Sequence, residues 1–175
     1  MAHAPERPLF VGSAVKTFIL TRFLQATEEG SLSEDTMLPV DDSVRALVSP
    51  VFGALSGEAP ARVALEAMIC HSDNTATDIC LRATGAAKVR SFIAQAGLSA
   101  TRIPDSTRIL FSYLAGAPAG VDEGWPGMQR ITRGELFGAL ACRSTMRRRW
   151  SARPPTWCRI TGARYGERSS SSRAR

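Results

Sequence analysis

Apolar positions along this chain recur mostly with a helical period. From Ser13 onward, Val15, Phe18, Ile19, Phe23 and Leu24 fall at three- and four-residue spacing, which places them on one helix face. Gly30, after Glu28 and Glu29, is the expected stop. Ser31 to Thr36 reads as a turn or helix-start cluster, and Met37 to Asp42 as a short extended piece ending in a cap. Asp42 is expected to cap a helix through Val44, Leu47 and Val48 that Pro50 interrupts, and Ser56-Gly-Glu-Ala-Pro60 reads as a loop. Arg62 to Cys70 predicts a short helix, apolar on most sides and therefore buried. A polar cluster, His71 to Thr75, separates it from a helix over about Thr75 to Arg82 that Gly85 ends. Ala86 to Gln95 predicts a further helix with Val89, Phe92 and Ile93 on one face. Thr101 to Pro126 is rich in Gly, Ala and Pro and reads as loop, with a short segment at Ile109 to Leu114. Thr132, with Glu135 three residues on, opens a last helix through Leu140. Short helices on short connections predict a compact helical bundle.

Composition adds little to this picture, but the distribution of charge adds a boundary. A chain of 175 residues with 44% hydrophobic and 22% charged residues suits one soluble domain. No apolar run has the length of a membrane span, and the N-terminus lacks the basic-then-apolar layout of a secretory signal. The net charge of +6 is uneven: residues 1–141 carry 12 Lys+Arg against 15 Asp+Glu, and residues 142–175 carry 10 Arg against one Glu. After Ala141 the helical pattern stops and Arg147-Arg-Arg, Pro154-Pro155 and Ser169 to Ser172 follow. Two readings fit residues 142–175: out-of-frame translation of a GC-rich gene, or a disordered basic extension. A nucleic-acid-binding reading rests on this tail alone, without interleaved aromatics or a motif, so no nucleic-acid partner is expected. The four cysteines form no Cys-x-x-Cys pair and only two histidines are present, which leaves a metal site without support. Cys70 and Cys80 read as small buried thiols.

Two motifs carry chemistry. Ser13 and Lys16 stand three apart at the head of the first helix, so hydroxyl and amine share a face, and Lys16 is one of only two lysines in the chain. Ser72-Asp73-Asn74 lies between two short helices. Taken singly, Ser13 and Ser72 read as helix caps and Asn74 as a turn former. Caps, however, do not call for a lysine at that spacing. His71 reads as a bystander in the loop, and no Gly-x-Ser-x-Gly is present.

Together, Phe10 ahead of Ser13-x-x-Lys16, the intervening helices, Ser72-Asp73-Asn74 with its following Thr75-Ala76, and Gly97-Leu-Ser-Ala-Thr-Arg102 resemble the class A β-lactamase family and, more broadly, the serine β-lactamase and penicillin-binding-protein superfamily. The resemblance implies an α+β fold. This chain is expected to be mostly α-helical, covering the helical lobe with most of the antiparallel sheet missing. Residues 1–141 would be a partial catalytic domain truncated at both ends. The resemblance makes Ser13 the nucleophile and Lys16 its base or electrostatic positioner. Ser72 would relay a proton to the β-lactam nitrogen, and Asn74 would bind the acylamide side chain of the substrate. Asp73 would hold the loop through backbone bonds. A serine hydroxyl needs such a base, and a partly buried lysine near a helix N-terminus tends toward the neutral amine.

The expected function is a serine hydrolase acting on β-lactam or related amide or ester bonds through an acyl-serine intermediate. The alternative is a non-catalytic remnant of the same family. No cofactor is implied, the substrate is a small molecule, and a monomer is expected. The family implies a periplasmic or secreted location. Two parts of the family pattern have no match: its Lys-Thr-Gly strand, for which Arg159-Ile-Thr-Gly162 is no substitute, and its Glu-Pro loop, where this chain reads Arg102-Ile-Pro-Asp-Ser. Asp105 is the nearest carboxylate and reads as a turn residue beside Pro104.

Overall fold

A computed structural model describes residues 10–131. The elements run as a 3-10 turn (Gly12–Ala14), α1 (Val15–Glu28), β1 (Met37–Val40), β2 (Gly57–Pro60), α2 (Ala61–Cys70), α3 (Asn74–Thr84), α4 (Ala86–Gln95), α5 (Thr107–Ala115) and α6 (Gly124–Arg130). The lead-in, the helix expected from Thr132 and the whole tail lie outside the described residues.

The main core lies between α1, α2, α3 and α4. Ile19 and Phe23 of α1 meet Leu65 and Met68 of α2, Ile79 and Leu81 of α3, and Val89 and Ile93 of α4. Full burial of such side chains contributes about 1.5–3 kcal/mol each. The stripe on α1 is narrower than the spacing suggests: Ile19, Phe23 and Ala26 are buried, whereas Leu24 is 38% exposed. On α2, Val63 and Ile69 face outward, so this helix is amphipathic rather than buried on most sides. Cys70, at its end, is exposed, which corrects the buried-thiol reading; Cys80 on α3 is buried, and both are free thiols.

Three further expectations change. The stretch read as a loop at Ser56 to Pro60 contains β2, which pairs antiparallel with β1, Met37 opposite Pro60 and Val40 opposite Gly57. It has no apolar alternation to announce it. The helix expected after Asp42 does not form, and residues 41–55 are turns. Its periodic apolar residues do not share one face: Val44 enters the main core, Leu47 packs against a second one and Val48 is exposed. That second core joins Ala46 and Leu47 to Phe111, Leu114, Trp125 and Met128. It explains the third difference: in Thr101 to Pro126 the short segment expected at Ile109 to Leu114 is part of the longer α5, and α6 begins where loop was expected. Ser106 caps α5 by accepting from Ile109 N–H at 3.0 Å.

Candidate active site

The site forms where the head of α1 meets the short connection between α2 and α3. The 3-10 turn places Ser13 ahead of α1, and Lys16 follows in its first turn. Gly12, at φ +55°, takes the left-handed conformation that lets the chain enter this turn. Facing it, Ser72 links α2 to α3 and is itself left-handed, at φ +53°. For a residue with a Cβ this conformation is strained by roughly 1–3 kcal/mol. Both the carbonyl and the hydroxyl of Ser72 are thereby aimed at Lys16.

All four residues singled out from the sequence come together. The Ser13 and Ser72 hydroxyls are hydrogen-bonded at 2.9 Å. Lys16 Nζ donates to Ser72 O at 2.6 Å, Ser72 Oγ at 2.8 Å and Asn74 Oδ1 at 2.9 Å. Ser13 Oγ lies 3.5 Å from the same nitrogen, a long contact beside the others. Lys16 is only 4% exposed. Burial lowers its pKa to about 8, although the Asp73 and Asp78 carboxylates act the other way. The amine therefore loses its proton far more readily than an exposed lysine.

The remaining polar residues of the motif hold the walls. Asp73 is fully buried and accepts from three backbone donors: Val51 N–H and Phe52 N–H at 2.8 Å, and Ala76 N–H at 2.8 Å as the cap of α3. Asn74 Nδ2 donates to Leu47 O at 2.9 Å and Val48 O at 3.2 Å. Thr75 Oγ1 accepts from Ala46 N–H at 3.0 Å and bonds Ser49 Oγ at 2.8 Å. Segment 46–52 is thus held by the first turn of α3, with Val48 at φ +59°, an outlying conformation for a β-branched residue. The structural role expected of Asp73 is what these bonds describe.

Asp78 was missed by sequence reasoning. It is 4% exposed and accepts from Thr107 N–H at 2.6 Å and Arg108 N–H at 3.2 Å. Its position one turn beyond Asn74, on the face shared with the motif, was the available signal. Arg108 in turn bonds Asp122 Oδ1 at 2.9 Å and reaches Asp42 O. Asp105 pairs with Arg90 at 2.5 Å. His71 is exposed at the C-terminal end of α2. Among the described residues there is no cluster of His, Cys, Asp and Glu able to hold a metal ion, and no helix is long and apolar enough to cross a membrane.

The model of the β-lactamase enzyme family matches residues 1–143, and the chain belongs to that family. No curated protein sequence matches it. Among solved structures it resembles the penicillin-G acyl-enzyme complex of a PBP-A mutant, at 28% identity and a TM-score of 0.52 over 54% of this chain and 37% of that one. It also resembles the β-lactamase of Sphaerobacter thermophilus DSM 20745, at 19% identity and a TM-score of 0.60 over 83% of this chain and 58% of that one. An ancestral class A β-lactamase gives 22% identity and a TM-score of 0.58 over 85% of this chain and 57% of that one. The fold is therefore that of the β-lactamases, here mostly helical with one two-stranded antiparallel sheet among the described residues. The chain spans between about a third and three fifths of the length of these structures.

Proposed function

We propose that this chain carries the acylation half of a β-lactam-directed serine enzyme of the class A type. The single observation behind the reading is the convergence of Ser13, Lys16, Ser72 and Asn74 within hydrogen-bonding distance. Ser13 Oγ attacks the β-lactam carbonyl as Lys16, in its neutral form, takes the hydroxyl proton. Lys16 lies 2.8 Å from Ser72 Oγ and 3.5 Å from Ser13 Oγ, so the proton has a route to Ser72 Oγ and on to the ring nitrogen as the C–N bond breaks. The backbone N–H of Ser13, at the helix head, supplies one donor to the developing oxyanion. Asn74 binds the acylamide oxygen of the substrate by exchanging its longer bond, to Val48 O, for that acceptor.

The acyl-enzyme is then long-lived. In the region where a deacylating carboxylate would be sought, Asp105 is paired to Arg90 and Asp122 to Arg108, and Asp78 is bonded to α5. These three are engaged, and Glu123 is exposed at the head of α6, so the chain behaves as a penicillin acceptor more than as a rapid hydrolase. The test is exposure to a labelled penicillin followed by peptide mapping. A stable adduct on the peptide containing Ser13, absent from Ser13→Ala, is expected. A folded chain that takes no label at high reagent concentration is instead a non-catalytic remnant.

A further inference from the structure

Burying a carboxylate costs free energy unless its surroundings repay it, and Asp78 is buried where a neutral side chain would satisfy the same donors. The first turn of α5 is already capped by Ser106. Asp78 adds a second attachment through Thr107 and Arg108 N–H, and the Thr107 hydroxyl donates to Asn74 O at 3.3 Å. Asn74 Oδ1 accepts from Lys16 at 2.9 Å. One continuous set of bonds therefore runs from the head of α5 through α3 to the amine beside Ser13.

We propose that Asp78 is a positioning residue for the Ser13–Lys16–Ser72 site: its carboxylate clamps the first turn of α5 onto α3 and holds a negative charge behind Lys16. The proposal rests on the reading of Lys16 as the amine that serves Ser13. Two cations bear on the proposal, Lys16 and Arg108. From α1 comes Lys16 itself; Arg22 on that helix is engaged with Glu29. From α5 comes Arg108, which bonds Asp122 and Asp42 O but whose charge also acts on Asp78 and favours its ionised form. Glu66 of α2 and Lys88 of α4 are directed away from the core, and Arg90 of α4 is bonded to Asp105. Arg82, at the far end of α3, bonds Pro39 O and Ser43, and β1 carries no charge. Asp73 acts on Lys16 in the same direction and more strongly than Asp78. Burial pushes Asp78 up to about 7, so near pH 8 it is mostly ionised and favours the ammonium form of Lys16.

The composition of the chain makes this directly measurable. It has two lysines, Lys16 and the exposed Lys88, so a chain labelled with 13C at lysine Cε gives one reporter and one internal reference. The Lys16 signal should titrate near 8. In Asp78→Asn its midpoint should fall by roughly half a unit or more, with Lys88 unmoved. A folded Asp78→Asn in which Lys16 titrates as before overturns the proposal. A second measurement needs no variant: the 15N–1H signals of Thr107 and Arg108 in the unaltered chain should titrate together near 7, the value for Asp78. Silence of both amides across that range also overturns it. Neither readout involves a β-lactam, so failure to form a penicillin adduct would leave these results standing.

Discussion

Helices α3 and α4 are consecutive, nearly equal in length, and built on opposite principles. α4 buries Val89 and Ile93 and turns most of its other side chains outward. α3 buries nine of its eleven residues, among them Asn74, Thr75, Thr77, Asp78 and Thr84. An apolar stripe holds α4 against its neighbours, and its loss would be felt locally. The first turn of α3 instead bonds segment 46–52, the head of α5 and Lys16 of α1 at once. Buried polar groups are tolerable only when each has a partner, and here the partners are backbone groups of loops that have little regular structure of their own. The arrangement of the site depends on α3 more than on any apolar contact.

The largest expected effect follows from that contrast. Asp73→Ala strips the acceptor from three backbone N–H groups, two on the 46–52 segment and one on α3. It should destabilise the fold by about 3 kcal/mol or more, since each buried donor left unpaired costs about 1–3 kcal/mol. Ile93→Val on α4 should cost only about 0.5–1.5 kcal/mol. Denaturant unfolding of the two variants measures the gap. Equal losses would mean that the polar junction is no more important than the apolar stripe.

The smallest effect sharpens the same point from the loop side. Val48 is 40% exposed and held left-handed while its carbonyl accepts from Asn74. Val48→Gly removes that strain and little packing, so stability should stay the same or rise by up to about 1 kcal/mol in thermal unfolding. A marked loss would show that the Val48 side chain, not its backbone, is what α3 needs.

The legibility of the chain divides along the same line. The spacing of Val89, Phe92 and Ile93 places α4 at Ala86 to Gln95, the bounds observed. Its face is a pattern of residue types, which sequence displays. Ser13, Lys16, Ser72 and Asn74 were legible for another reason: two short motifs in the right order resemble a family. The segment after Asp42 was misread because its apolar residues supply two cores, and periodicity assumes one. β2 was hidden because Gly57-Glu-Ala-Pro60 forms an edge ribbon without an apolar face. Gly124-Trp-Pro-Gly127 opens α6 with two glycines and a proline, residues of low helix propensity. Asp78 was not singled out, because nothing in its neighbours announces that the backbone of α5, 29 positions on, will cover it.

In the proposed mechanism the Lys16 amine, made easier to deprotonate by burial, activates Ser13. The most direct test of that step is the rate of penicillin acylation as a function of pH, with Ser13→Ala as the blank. A base must be neutral to accept a proton, so the Ser13-dependent rate should rise with pH and reach half its maximum near 8, where Lys16 loses its proton. A Ser13-dependent rate that is flat through that range, or that falls as Lys16 deprotonates, would contradict the account.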